Sequence, residues 1–133
     1  MTKQEHIDYW IMNAERDWVR AEKCFEGKDY VYALFFAHLS LEKICKALWV
    51  KDNESNYPPM IHNLVSILGN TSIKLSIEDN SFLKEMNTYQ LESRYSDYQD
   101  KIYKTCTKEF TENTLLKAKN IKQCLLETLL SKS

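Results

Sequence analysis

Apolar residues recur at helical spacing through most of the chain. Ile7, Ile11, Ala14, Trp18, Ala21 and Phe25 step by three and four, and Glu15, Asp17, Glu22 and Lys23 lie off their line. That is one face of an amphipathic helix, predicted over about 3–26. Gly27 is a stop, and Asp29 can cap a second helix reaching about Lys51. So short a junction makes the pair an antiparallel helical hairpin. The second helix has aliphatic and aromatic residues on nearly every side between Tyr30 and Trp49, and a helix apolar all round is buried all round. After a polar loop over 52–59, Ile61, Leu64, Val65 and Leu68 predict a short helix over about 60–68, ended by Gly69-Asn70. Ile73, Leu75 and Ile77 alternate like a strand. With nothing to pair against, the segment 71–79 is expected to be an extended loop that tucks these side chains inward. Phe82, Met86 and Tyr89 predict a helix over about 80–93. The tyrosine-rich stretch 94–105 reads as loop and turns. Leu115, Ala118, Ile121, Leu125 and Leu129 predict a last helix over about 107–130. The fold class expected is all-α: one domain over 1–133, an antiparallel up-and-down helical bundle of four long helices plus one short helix.

The apolar second helix nevertheless carries His38, Glu42, Lys43 and Lys46. His38, Glu42 and Lys46 are spaced i, i+4, i+8 and form one stripe. Ionisable groups in such a setting cost free energy unless they are paired, hydrogen-bonded or wet. What faces that stripe is therefore the main functional question. A helix covered on all sides also suggests more covering surface than five helices provide, which favours a homodimer. Trp10, Trp18 and Trp49 are expected in the core or in such a contact.

Composition narrows the class. Two glycines and two prolines in 133 residues suit long helices with few connections. The formal net charge is −1, which advertises no polyanionic partner. It is unevenly spread: residues 1–100 hold 11 basic and 16 acidic groups, a sum of −5, and 101–133 hold 7 and 3, a sum of +4. Lys101, Lys104 and Lys108 share a face without accompanying arginines, which suits a solvated helix face better than a nucleic-acid surface. Cys24, Cys45, Cys106 and Cys124 form no CxxC pair and are expected to be buried thiols kept reduced in the cytosol. No metal site and no cofactor are expected. The opening residues are polar, and no uncharged apolar run approaches the roughly 18 residues of a membrane span. A cytoplasmic protein with no membrane association is the expectation.

Four local patterns resemble the HEPN domain family. The second helix reads Phe36-Ala37-His38-Leu39-Ser40-Leu41-Glu42-Lys43-Ile44-Cys45-Lys46-Ala47-Leu48, similar to that family's Glu-Lys-x-x-Lys-Ala-Leu core. Ala14-Glu15-Arg16-Asp17-Trp18 with Ala21 resembles its first-helix pattern. His62-Asn63-Leu64 resembles the opening of its short helix, and Tyr89 with Arg94-Tyr95-Ser96-Asp97 the element after its next helix. The four occur in the family's order and span nearly the whole chain. The resemblance implies a helical bundle that commonly forms homodimers. It also implies association with a minimal nucleotidyltransferase in two-component modules, often of toxin–antitoxin type. One large branch consists of metal-independent endoribonucleases, with an arginine followed after about four to six residues by a histidine.

The chain departs from that branch. No histidine follows Arg94 anywhere, and serine stands at Ser96 where a proline is expected. RNA cleavage needs one group to take the 2′-hydroxyl proton and another to hold the phosphate. Arg94 suits the second task, but its own segment offers nothing for the first, so no catalytic residue is assigned. The ligand-binding set is His38, Glu42, Lys43, Lys46, Arg94, Tyr95 and Asp97. One reading makes these a pocket for a nucleotide phosphate or base, with the cations supplying charge. Another makes them a satisfied interior network, with Glu42 held by Lys46 or Arg94. A third pairs His38 with Arg94 as a catalytic couple. His62 is expected to cap or pack the short helix. Asp17 either reaches the polar centre or stays solvated. At the level of function these give a nucleotide- or partner-binding module joined to a nucleotidyltransferase, an RNA-cutting toxin with a displaced histidine, or a plain scaffold.

Overall fold

A computed structural model describes residues 1–131 as helices and connections, with no strand among them. α1 runs Lys3–Glu26 behind a capping box in which Thr2 and Glu5 satisfy each other's backbone N–H groups. α2 runs Tyr30–Asp52, and Asp29 caps it by accepting from the Tyr32 amide. The two are antiparallel. The Ser40 hydroxyl donates to the Ala14 carbonyl at 2.8 Å, while the Lys3 ammonium reaches the carbonyls of Val50 and Asn53 at 2.8 and 2.7 Å. α6, Lys108–Leu130, is capped by Thr107 and ends beside the end of α2, where Lys51 donates to the Thr128 carbonyl at 3.2 Å. α2 and α6 therefore run in the same direction.

The leg between them is broken into pieces. α3 is only Leu64–Leu68, α4 is Ile77–Met86, two 3-10 turns cover Asn87–Tyr89 and Leu91–Ser93, and α5 is Ser96–Thr105. The bundle is up-and-down as expected, with three long helices and this segmented leg in place of the fourth. α3 starts later than expected because the Asn63 side chain caps it, leaving Met60 exposed behind Pro58-Pro59. α4 starts earlier because Ser76 accepts from the Asp79 amide. Ile73 and Leu75 do pack against the core, but Ile77 is exposed on the first turn of α4. The stretch expected as loop over 94–105 is α5. Its only fully buried side chain is Ile102, too little apolar repetition for a stripe. Asp97 and Lys101, and Asp100 and Lys104, stand at the acid-before-base i, i+4 spacing that supports a solvated helix.

The core centres on α2, whose Leu34, Leu41, Ile44 and Leu48 are essentially inaccessible. α1, α6 and the segmented leg cover α2 within a single chain. Most of its apolar surface is satisfied there, while Tyr32 is exposed and Phe36, Leu39 and Trp49 are half-buried. Cys45 and Cys106 are buried, Cys24 is half-buried and Cys124 is exposed. Burial pushes the Cys106 thiol up to about 11 and raises that of Cys45 further, so neither is a nucleophile near neutral pH. No helix among the described residues is long and apolar enough to cross a membrane.

Candidate functional site

The stripe on α2 is met by two residues from the segmented leg. Glu42 is buried and central: its Oε2 accepts from the Lys46 ammonium at 3.1 Å, and its Oε1 lies 3.0 Å from His62 Nδ1. Lys46 is itself buried, with its ammonium 5.5 Å from the centre of the Trp10 ring. His62 does not cap α3. It stands one residue before the cap and reaches back to Glu42, with its side chain 50% exposed.

His38 is wholly buried, and its Nε2 lies 3.4 Å from Asn87 Oδ1. Two backbone amides settle which atoms donate. The Ser66 amide donates to Asn63 Oδ1 at 3.1 Å, and the Leu64 amide donates to Asn87 Oδ1 at 3.0 Å. Amides can only donate, so both side-chain oxygens are acceptors, consistent with Asn87 Nδ2 donating to Asn63 Oδ1 at 3.2 Å. His38 Nε2 must then carry the hydrogen. In the neutral ring Nδ1 is left with a lone pair, which has no hydrogen-bond partner and faces Glu42 Oε1 at 3.9 Å. Burial lowers the His38 pKa. The Glu42 charge and the bonds to Asn87 and the His62 backbone pull the other way but do not win.

Arg94 joins through the same asparagine. One guanidinium nitrogen donates to the Asn87 carbonyl at 3.0 Å, and the guanidinium carbon lies 5.0 Å from the centre of the Tyr98 ring. Its Nε is buried and finds no partner among the described residues. Arg94 does not hold Glu42; Lys46 and His62 do. Lys43 points elsewhere, to Asp17, a buried carboxylate that also takes Arg20 at 2.8 Å. Asp17 thus belongs to a second, separate ion cluster between α1 and α2. Tyr95 precedes α5 without a side-chain capping bond and is 86% exposed, and Asp97 is exposed on the first turn. Of the seven residues singled out from the sequence, His38, Glu42 and Lys46 come together and Arg94 touches their edge. Lys43, Tyr95 and Asp97 stand apart.

Asn87 is the residue that sequence reading missed. It ties α2, the start of α3 and Arg94 together, yet in the chain it is one polar residue at the end of a helix. Nothing in its spacing or in the hydropathy around it marks it as a hub. None of His38, Glu42, Lys46, His62, Asn87 and Arg94 lines the five surface cavities of about 170 to 550 Å³, although Tyr98, which stacks on Arg94, borders the one of about 170 Å³. The family model of the HEPN domain matches residues 7–129. The chain belongs to the HEPN family. All four motifs that resemble HEPN sequences fall within that match, and the two on α2 and before α3 meet at Glu42 and His62. Comparison with curated proteins and with solved structures returned no match.

Proposed function

We propose that this protein is a non-catalytic HEPN module that forms a homodimer and binds a minimal nucleotidyltransferase, as one half of a toxin–antitoxin type pair. Family membership supports the general setting, since HEPN domains occur in toxin–antitoxin and nuclease-type modules and often dimerise. The observation that carries the non-catalytic part is the state of His38. Its ring has no exposed surface, and its Nε2–H is committed to Asn87. A general base must reach the proton it abstracts, and no RNA hydroxyl reaches His38. The cations of α2 are committed as well, Lys43 to Asp17 and Lys46 to Glu42. Co-purification with a nucleotidyltransferase encoded beside the gene tests the partner. Two full-length proteins that elute separately at micromolar concentration would remove it.

One geometry favours the ribonuclease reading in a different form. His62 is held at Nδ1 by the Glu42 carboxylate while half of its side chain meets solvent. An oriented imidazole with a free second nitrogen is a usable base. Arg94, linked through Asn87 and half-buried with its Nε turned inward, offers only the outer part of its guanidinium to a phosphate. RNA incubated with purified protein in chelator separates the two readings. Intact RNA supports the binding module; cleavage abolished by His62→Ala and untouched by His38→Asn supports the enzyme. Isothermal titration with a panel of nucleotides tests whether Arg94 and its surroundings bind a phosphate. No heat with wild type, and none lost in Arg94→Ala, excludes that role.

A further inference from the structure

α1 carries a second pattern, on the side opposite its buried Ala14, Trp18 and Ala21. Met12 and Val19 stand seven residues apart and are 45% and 41% exposed. Asp8, Glu15 and Glu22 repeat with the same period along one flank, and Arg16 and Lys23 along the other; all five are exposed. Residues seven apart on a helix return to nearly the same side. These are therefore three lengthwise rows, in the order acidic, apolar, basic. A shallow groove of about 550 Å³ runs over Met12 and Val19, bordered by Arg16, Arg20 and Lys23 and by Glu15 of the acidic row. Glu15 is paired within the chain to Lys122 at 3.0 Å. Arg16, Glu22 and Lys23 make no ion pair among the described residues.

Such a face is complementary to itself in one orientation only. A twofold axis parallel to the helix places two copies side by side with the order of rows reversed. The acidic row of each then meets the basic row of the other, and Met12 and Val19 meet their own counterparts. A twofold axis perpendicular to the helix preserves the order and sets acid against acid. The charge pattern thus selects the parallel pair and disfavours the other. We propose that this face of α1 is the contact between two parallel copies of the chain. The proposal rests on the homodimer reading above and names its surface.

Two double variants of the full chain test it, both leaving Glu15 and its bond to Lys122 in place. Arg16→Glu with Lys23→Glu makes both flanks acidic. Asp8→Lys with Glu22→Lys makes the acidic flank largely basic. In sedimentation velocity each is expected to dimerise at least about tenfold more weakly than wild type, with unchanged helicity and melting. Mixing the two restores a dimer, because each now supplies what the other lacks. If either variant loses helicity, Met12→Gln with Val19→Gln reads the same contact. A wild-type dimer that both double variants reproduce overturns the α1 contact and leaves the homodimer reading intact. A wild type that stays monomeric overturns both. Variants that keep the dimer but lose a nucleotidyltransferase partner also overturn the proposal, and assign the face to that partner.

Discussion

Asn87 shows how one side chain can join elements that its neighbours in sequence do not. Its amide accepts from His38 and from the first amide of α3, donates to Asn63, and its carbonyl takes Arg94. Asn87→Ala strands a buried imidazole N–H and a helix-start amide, each costing about 1–3 kcal/mol when unsatisfied. A loss of about 2–4 kcal/mol is expected in urea unfolding, and a loss under about 0.5 kcal/mol would show the hub to be ornamental. His38 gives a pH dependence with a definite sign. Its folded pKa lies below the ordinary 6.5 because burial disfavours the charged ring. The unfolded chain takes the proton first, so the His38 contribution is full above about 6.5 and is lost as pH falls toward the lowered value. Unfolding free energy should drop as pH falls from about 7 to about 5, and the drop should be smaller in His38→Asn. Equal slopes in the two proteins would mean that the ring is not held neutral. The stripe of His38, Glu42 and Lys46 was legible from its spacing. That Lys43 pairs with Asp17 was not, because adjacent helical positions point about 100° apart and only the position of α1 decides what each meets.

The long elements were legible and the short ones were not. α1, α2 and α6 each repeat an apolar spacing over many turns and carry side-chain caps at Thr2, Asp29 and Thr107. Thr107→Ala should cost about 1 kcal/mol by leaving the Phe110 amide without its acceptor, measured by thermal melting against wild type. α5 hides from a periodicity search because Ile102 is its single deep anchor, with tyrosines and alternating charges elsewhere. That anchor makes it the helix most open to local loss. Ile102→Ala should raise amide hydrogen exchange through 96–105 while amides of α1 and α2 keep their protection. Exchange rising equally everywhere would mean that α5 is part of the global unfolding unit. α3 and α4 were misplaced at their starts because Asn63 and Ser76 cap within polar stretches that have no contrast in hydropathy.

At the scale of the whole molecule, α2 is the axis and the rest of the chain is its covering. A single chain buries most of it and leaves Tyr32, Phe36, Leu39 and Lys43 partly open to solvent. The rows on α1 are the most ordered exposed pattern for association between chains, and they are charged. Dimerisation through them should weaken as salt rises from about 0.05 to about 0.5 M, since the screening length falls from over about 10 Å to a few ångströms. A dimer whose dissociation constant ignores salt would have an apolar interface elsewhere.

By itself the sequence determined the helical class, the three long helices, the HEPN family and the presence of a polar stripe in an apolar helix. Those follow from local spacing, which needs only the geometry of a helix. The tertiary structure decided which polar groups meet. It brought His62 and Asn87 to the stripe from far along the chain, turned Lys43 toward Asp17, and closed His38 away from solvent. The reason is that burial and pairing belong to the packing of elements against one another, and no spacing within one element records them.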